Sequence, residues 1–169
     1  MKSINDVKQF IIELLKLFPE NKTDYAHIGK AYYYANRFAL EDYSTLVSIH
    51  RCVKLSYGPG IDDYKEIFND LEEDDVIKKE SPHYIKLIAG DDKKYTDFPK
   101  EIIDSIGRAY LHVKDKNFDQ LANETHELKS YKKAAMFGEI DYLNDIFTDE
   151  KVKKTREFLD NIPHFTGKY

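Results

Sequence analysis

The stretch "KLSYGPGIDDYKEIFNDLEEDDVI" at residues 54–77 changes its pattern halfway along. Its first residues alternate between polar and apolar side chains, as is typical of a strand. Gly58-Pro59-Gly60 then interrupts the alternation, because proline cannot donate a ladder hydrogen bond and glycine permits a positive φ. Apolar residues at helical spacing follow, after two aspartates that suit the positive end of a helix dipole. We therefore predict a strand, a corner turn at residues 58–60 and an acidic helix that ends near residue 75.

The predicted sheet extends to both sides of this stretch. Upstream, apolar and polar residues alternate from Val47 to Leu55, which predicts one strand over residues 45–56. Downstream, two short apolar-polar runs flank Ser81-Pro82, which predicts a hairpin with strands at residues 76–80 and 84–89. We expect the three strands to form one small antiparallel sheet.

Helical periodicity accounts for most of the remaining chain. The predicted helices cover residues 4–18, 24–39, 99–113, 118–125 and 149–161, with Pro19 after the first and Pro163 after the last. In the second helix, Tyr33 and Tyr34 lie off the apolar face, so at least one of them is expected to be partly exposed. Residues 127–142 fit no single pattern.

Length and composition indicate a globular chain with one domain, residues 1–169. The fold class predicted is mainly α (α+β), a single helical domain with a small antiparallel sheet. A single cysteine, Cys52, excludes an intramolecular disulfide and suits a reducing compartment, so we expect a cytoplasmic protein. No apolar run is long enough for a membrane span. The net charge of -5 makes nucleic acid an unlikely partner, since nucleic-acid binding favours a basic face.

Motifs for catalysis or metal binding are weak. His50 and Cys52 would share one face of a strand, but a structural zinc site needs about four ligands and the other histidines are scattered. The acidic run at residues 72–75 lacks the alternating ligands and central glycine of a calcium loop. No GxxxxGK[ST], GxGxxG, GxSxG or HExxH motif occurs. We therefore expect no metal, no cofactor and no enzymatic activity.

A helix, an acidic helix and a hairpin in series are compatible with a winged-helix arrangement. In that arrangement the acidic helix would enter the DNA groove. Its one basic residue, Lys65, stands among eight aspartates and glutamates between residues 62 and 75, and phosphates would repel it. We expect that DNA is not bound through this helix, whichever architecture the chain adopts.

Four segments in order resemble the Panacea domain, or SocA-like antitoxin, family. They are the helix "IGKAYYYANRF", the strand, turn and helix "KLSYGPGIDDYKEIFNDL", the acidic helix end "LEEDDVI", and the segment "THELKSYKKA" with its His-x-x-x-x-aromatic-Lys pattern; together they span residues 28–134. Three positions depart from the family pattern. Gly60 replaces an apolar residue, Tyr131 a common tryptophan, and Asn36 a common aspartate.

The resemblance implies a non-enzymatic antitoxin that neutralises a toxin by direct binding, in some members as a chaperone or by delivery to a protease. An acidic, tyrosine-rich surface suits a basic toxin as the protein partner. The residues expected to bind the partner are Tyr57, Gly58, Pro59, Tyr64, His126 and Tyr131. The corner at residues 58–60 is expected to hold Tyr57 and Tyr64 close together, although Tyr57 could equally be a core residue. The alternative function is a phage-associated or regulatory module of winged-helix type that acts at or near nucleic acid.

Overall fold

The computed structural model describes residues 2–89 and 93–161, and most of them are helical. The helices are α1 (Lys2–Leu17), α2 (Tyr25–Tyr43), α3 (Tyr64–Glu73), α4 (Lys100–Val113), α5 (Phe118–His126), α6 (Lys129–Lys133), α7 (Leu143–Ile146) and α8 (Asp149–Asp160). The strands are β1 (Lys22–Asp24), β2 (Cys52–Leu55), β3 (Gly58–Ile61), β4 (Ile77–Lys79) and β5 (Tyr84–Leu87). This confirms the predicted fold class. Pro163, expected to close the last helix, lies outside the described residues. Within residues 2–89 and 93–161, every helix is too short or too polar to span a membrane.

Helix α2 lies at the centre of the molecule. Asp24 caps its N-terminus by accepting a hydrogen bond from the His27 N–H at 2.9 Å. All residues from Ile28 to Asn36 are buried, and the helix packs against α4, α5 and β3. A helix that is buried on all sides belongs to the middle of a core rather than to its edge. Helix α4 packs against α1 as well as α2 and so joins the two N-terminal helices.

The expectation that Tyr33 or Tyr34 would be partly exposed is wrong. Both side chains are buried. The Tyr33 hydroxyl donates to Asp145 Oδ2 at 2.6 Å, and the Tyr34 hydroxyl donates to the Glu124 carboxylate. The segments that cover this side of α2 come from the C-terminal half of the chain, so the periodicity of α2 alone could not reveal them.

The strands form two small sheets instead of the single sheet predicted. Strands β4 and β5 pair as an antiparallel hairpin, as predicted, and β1 pairs with the other side of β5. The buried Ile85 is therefore the centre of a three-stranded sheet in the order β1-β5-β4. The second sheet is a separate hairpin of β2 and β3. Strand β1 was not predicted, because three residues of sequence "KTD" show no alternation of apolar side chains.

The predicted strand at residues 45–56 is too long, since only Cys52–Leu55 adopts strand structure. In the segment before it, backbone donors bind side chains instead of a neighbouring strand. The Ser48 N–H donates to Asn36 Oδ1 at 3.2 Å, and the His50 N–H donates to Ser48 Oγ at 3.0 Å. The alternating residues also do not share one environment, because Ile49 is 68% exposed while Val47 is buried.

The predicted turn at residues 58–60 is wrong as well. Gly58, Pro59 and Gly60 belong to strand β3, and the turn consists of Ser56 and Tyr57. Gly58 directly follows this turn with a φ of +120°. The positive φ that we assigned to a corner therefore occurs at the first residue of a strand. The chain therefore reverses direction at residues 56 and 57, before the glycines, and not at residues 58–60.

Pro59 fits into a strand because its partner makes its hydrogen bonds elsewhere. Pro59 is opposite Lys54 in the hairpin. The Lys54 N–H donates to the Gly138 carbonyl at 2.9 Å, and the Lys54 carbonyl accepts from the Phe137 N–H at 2.9 Å. Lys54 therefore needs no donor from position 59, where a proline has none to offer. Residues 137–140 act as a further edge to β2, with a bridge between Val53 and Glu139.

The order of the elements matches a winged-helix domain with an insertion. The sequence α1, β1, α2, α3, β4, β5, with β1 beside β5, is the winged-helix order, and the β2–β3 hairpin lies between α2 and α3. Helix α3 occupies the place of a recognition helix. Its exposed residues include Glu66, Glu72 and Glu73, with Lys65 as the one basic residue in the helix.

Replacement of Gly58 by alanine is expected to lower the free energy of unfolding by about 2 kcal/mol or more. A Cβ atom there would lie 2.5 Å from Thr125 Oγ1 and 2.7 Å from Lys30 Cε, and the φ of +120° strains any L side chain. Gly107→Ala in α4 is the matched control. A Cβ at position 107 meets no atom within 4 Å, so this change should stabilise the helix by about 0.5–1 kcal/mol. Urea unfolding measures both values, and equal effects would contradict the prediction.

Candidate functional site

An open groove of about 560 Å³ lies where the N-terminal ends of α2, α3 and α5 meet the β2–β3 hairpin. Its surface is mainly apolar. The rings that line it are Tyr25, Tyr57, Tyr64, Phe68, His83, Tyr84 and Phe118. We call this feature the aromatic groove. It contains three of the six residues that the sequence predicted to bind a partner: Tyr57, Pro59 and Tyr64.

The aromatic groove exists because α2 and β3 approach each other without side chains between them. A Cβ atom on Gly29 would lie 3.1 Å from the Pro59 carbonyl oxygen and 3.2 Å from Gly60 Cα. Both distances are tighter than ordinary contacts, so glycine at position 29 permits this approach. The hairpin is thereby held close to α2, and its turn projects over the start of α5.

Three rings form the inner wall of the groove. Tyr25 at the start of α2 lies 5.8 Å from Tyr64 and 5.0 Å from Phe68, measured between ring centroids. Tyr64 and Phe68 are 6.3 Å apart on α3. These separations are typical of aromatic pairs whose contact stabilises a fold in addition to the free energy gained by burying their surface. The inner wall therefore fixes α3 against α2, and Tyr64 is partly buried within it.

The rim of the groove carries exposed rings. Tyr57 is 62% exposed, Phe118 43% and Tyr84 47%. Tyr57 and Phe118 contact each other, with ring centroids 5.1 Å apart. The alternative interpretation of Tyr57 as a core residue is therefore wrong. The structure brings Tyr57 and Tyr64 to one groove, where Tyr57 contacts Phe118 and Tyr64 contacts Tyr25 and Phe68.

His126 and Tyr131 lie behind the hairpin instead of in the groove. Their rings stack with centroids 4.8 Å apart. The Tyr131 hydroxyl donates to the Leu55 carbonyl at 2.6 Å, immediately before the hairpin turn. The Lys54 ammonium lies 4.5 Å from the centroid of the Tyr131 ring, close enough for a cation–π contact. In this structure the two residues support the turn that presents Tyr57.

Lys30 is the unusual residue of the groove. It lines the groove yet is only 4% exposed. Among the described residues, no hydrogen bond or ion pair to its ammonium is found. The end of the side chain lies beside Gly58, where a Cβ atom would be 3.0 Å from Lys30 Nζ. Burial lowers the pKa of Lys30 from its ordinary value of 10.5 to about 8, because an ammonium group loses hydration there.

The nearest acidic neighbour of Lys30 at the groove, Asp24, already has a partner. Its carboxylate accepts from the His27 N–H at 2.9 Å and lies 2.7 Å from His27 Nδ1. The other nitrogen of the His27 ring is 2.7 Å from the Lys116 carbonyl oxygen. Only a protonated imidazole can donate from both nitrogens. Burial is the largest single effect and lowers the pKa of His27, but the hydrogen bond and charge of Asp24 and the hydrogen bond with the Lys116 carbonyl together outweigh it, so the pKa is raised.

A second polar cluster surrounds Glu124 and is linked to the first through Lys116. Its carboxylate accepts from Tyr34 and pairs with His112, and it lies 2.8 Å from Lys116 Nζ. Burial opposes ionisation, but these hydrogen bonds lower the pKa of Glu124 to about 2. The carboxylate is therefore ionised at neutral pH and already bound by three groups. Such a cluster is suited to holding α2, α4 and α5 together and offers no available general base.

His50 and Cys52 do not form a metal site together. His50 precedes strand β2, and its Nε2 lies 2.8 Å from the Asp62 carbonyl oxygen. Cys52 is buried, and burial raises the pKa of its thiol to about 12. In the part of the chain that the structure describes, no group of three or more His, Cys, Asp or Glu side chains is placed to hold a metal ion.

The sequence analysis missed Lys30, Tyr25, Tyr84 and Phe118. One signal for Lys30 was present. The residues from Ile28 to Ala35 are apolar or aromatic apart from this single charge, and a helix apolar on all sides is buried. A lysine within it must be buried too. Tyr25, Tyr84 and Phe118 gave no such signal, because each lies at the end of an element and meets the others only in the folded chain.

Comparison with known proteins gives one family. The model of the family described as antitoxin SocA-like, Panacea domain, matches residues 28–132. The matched region includes α2, the β2–β3 hairpin and α3, and it contains all six residues predicted to bind a partner. Neither a search of curated proteins nor a search of solved structures found a significant match.

Replacement of Lys30 by methionine is expected to stabilise the protein by about 3 kcal/mol at neutral pH. The folded state contains a buried ammonium that the unfolded chain hydrates, and methionine has similar length without the charge. Between pH 8 and 10.5 the folded lysine is neutral while the unfolded lysine stays protonated, so wild-type stability rises and the advantage of the variant shrinks. Besides Lys30, the charged or titratable neighbours are Asp24, His27 and Cys52.

Urea unfolding of both proteins across this pH range measures the difference. Lys65→Met is the matched control, because Lys65 is exposed on α3 and its replacement should change stability little. A Lys30→Met protein that is less stable than wild type at neutral pH would show that the ammonium makes favourable interactions in the folded state.

Proposed function

The chain belongs to the antitoxin SocA-like, Panacea domain family, and on this basis we propose that it is the antitoxin of a toxin–antitoxin pair. It acts by direct binding to the toxin and without enzymatic chemistry. The partner is a protein with a basic surface. Inhibition, chaperoning and delivery to a protease all begin with the same complex.

The observation that carries this proposal is the aromatic groove, most of whose lining belongs to the region that matches the family. Exposed aromatic side chains are the commonest anchors of protein interfaces, because a ring buries a large area while only two torsions are fixed. Tyr57, Tyr84 and Phe118 present such rings around one concave surface. A protein side chain that enters the groove would contact the rim and the inner wall together.

Charge supports a basic partner. The exposed face of α3 beside the groove carries Glu66, Glu72 and Glu73. The chain as a whole has a formal net charge of -5. Complementary charge favours the correct partner and increases the rate of encounter. The acidic face of α3 is therefore suited to the outer part of the interface, with the aromatic groove at its centre.

Several observations favour a non-enzymatic role. His27 is held in its protonated form, Glu124 is bound by three groups, and the Cys52 thiol has a raised pKa. None of these groups is poised to act as base or nucleophile. The buried free thiol of Cys52 also suits a reducing compartment, so we place the protein in the cytoplasm.

The winged-helix order of elements favours a second candidate, a phage-associated or regulatory module that acts at or near nucleic acid. In that arrangement α3 would meet the phosphates. Its acidic surface opposes direct contact, because phosphate binding depends on neutralisation by lysine and arginine. Such a role would require a basic partner between this protein and the nucleic acid.

Co-expression with the product of the neighbouring gene tests the function. We expect that this product inhibits growth when expressed alone, that the present chain restores growth, and that the two proteins copurify. Rescue by inhibition should need about equal amounts of the two proteins, whereas an adaptor that delivers the toxin to a protease acts repeatedly and should need less. Rescue without a complex would contradict neutralisation by binding.

Tyr57→Ala is expected to weaken the complex by about 1–2 kcal/mol, or more if Tyr57 is a hot spot. The melting temperature should change little, because Tyr57 is 62% exposed. Tyr64→Ala should weaken binding too, with some loss of stability from the inner wall. Tyr43→Ala is the matched control, since Tyr43 is 43% exposed at the end of α2 and does not line the groove. Calorimetry with each variant measures the affinities; equal affinities for the Tyr57 and Tyr43 variants would place the interface elsewhere.

A further inference from the structure

The aromatic groove combines apolar walls with one positive charge that has no partner among the described residues. Lys30 is 4% exposed and lines the groove, and no described residue forms an ion pair or hydrogen bond with its ammonium. The adjacent carboxylate of Asp24 is occupied by His27. An isolated buried charge is costly in a protein, and a bound anion would remove that cost. The groove is therefore complementary to an apolar group that carries one negative charge.

The lysine can reach such an anion. Its side chain is flexible along four carbons, and its ammonium offers three donors. The end of the lysine side chain lies beside Gly58 of the hairpin, and glycine has no side chain that would separate the two. Leu55, Tyr57 and Pro59 of the same hairpin line the groove around this point. Lys30 lines the groove together with these three residues, so a carboxylate bound between them would be its neighbour.

The size and polarity of the groove limit the shape of the ligand. A volume of about 560 Å³ is in the range that holds a drug-sized molecule, which corresponds to a few residues of peptide. A loop that enters and leaves would bury two lengths of backbone, and each buried N–H or carbonyl needs a partner. The polar groups of the lining are few: Asp24, Lys30, His83 and the tyrosine hydroxyls. A chain end brings one length of backbone and supplies its own carboxylate.

We propose that the aromatic groove receives the C-terminal residues of the protein partner, with an apolar or aromatic last side chain against the rings and the terminal carboxylate on Lys30. This inference rests on the proposed function only in taking the natural ligand to be a protein. A basic partner is compatible with this arrangement, because the acidic face of α3 is its outer contact while its chain terminus provides the buried anion.

The test uses the full chain and three synthetic peptides in an NMR titration. The first is N-acetyl-Gly-Leu-Phe with a free carboxylate. The second is the same peptide as its C-terminal amide, and the third is N-acetyl-Glu-Leu-Phe amide, which carries the same charge on a side chain. We expect the free acid to bind about tenfold or more tighter than either amide, with shifts at the groove residues. General electrostatics would instead favour the neutral amide over the free acid and would not distinguish the two anionic peptides, because the protein has a net charge of -5.

Two variants assign the effect to the lysine. Lys30→Met should reduce the affinity for the free acid to that of the amide while the protein stays folded, as its melting curve will show. Lys65→Met removes the same charge beside the groove and should leave the preference for the free acid intact. Overturning results are equal binding of the free acid and either amide, no binding of the free acid at millimolar concentrations, or an unchanged preference in Lys30→Met.

The design separates this inference from the proposed function. Carboxylate-dependent binding that needs Lys30 supports the inference even if the neighbouring gene product is not toxic. If that product is neutralised in a complex, deletion of its last residue and the Lys30→Met change should each weaken the complex. A tight complex that tolerates both changes would retain the antitoxin function and overturn the assignment of the groove to a chain terminus.

Discussion

The close contact between helix α2 and strand β3 is the constraint on which the rest of the structure depends. With Gly29 in the helix and Gly60 in the strand, the two backbones lie so close that a methyl group on Gly29 would make contacts tighter than ordinary ones. The contact fixes the hairpin over the central helix. It also creates the aromatic groove at the edge of the contact, since Tyr25 and Tyr64 flank the same two elements. Structure and candidate site therefore have one origin.

The same contact explains why Lys30 occupies an unfavourable position. Lys30 follows Gly29 in the helix, so the approach of β3 buries it under the hairpin, beside Gly58. Its environment is determined by a backbone contact and not by a partner for its charge. The charge of Asp24 acts against the lowering of the Lys30 pKa, but its carboxylate caps α2 and binds His27 instead of forming an ion pair with the ammonium. Asp24 is thus engaged at the helix cap and is not available to pair with Lys30 in the groove.

Sequence patterns predicted the helices well because each has an apolar face that repeats over several turns. Ile102, Ile106 and Val113 of α4 are an example, and all three are buried as their spacing requires. The β4–β5 hairpin could also be predicted from sequence, since its two strands flank a recognisable turn. The predictions failed where residues far away in the sequence determine the environment of a residue. Ser48 and His50 alternate like strand residues, but Asn36 and Ser48 side chains capture their backbone donors.

The candidate site was predictable only in part for the same reason. Tyr57 and Tyr64 could be selected because they flank an unusual run of glycine and proline, although the role of that run was misassigned. Pro59 can occupy a strand only because residues 137 and 138 bind the other edge of its partner, Lys54. No local sequence pattern predicts a pairing between residue 54 and residues 137 and 138, which are more than 80 positions apart. Phe118 joins the groove by a similar long-range contact, with Tyr57.

Residues 137–140, which pair with β2 on the side away from β3, limit how the chain can be shortened. The family match ends at residue 132, yet the segment that completes β2 begins at Phe137 and continues to Ile140. A fragment cut at the end of the match would leave the Lys54 N–H and carbonyl, and the Cys52 carbonyl, without the partners they have in the whole protein. The region recognisable by descent therefore lacks a segment that β2 uses. During synthesis, these three hydrogen bonds can form only after residue 140 has left the ribosome.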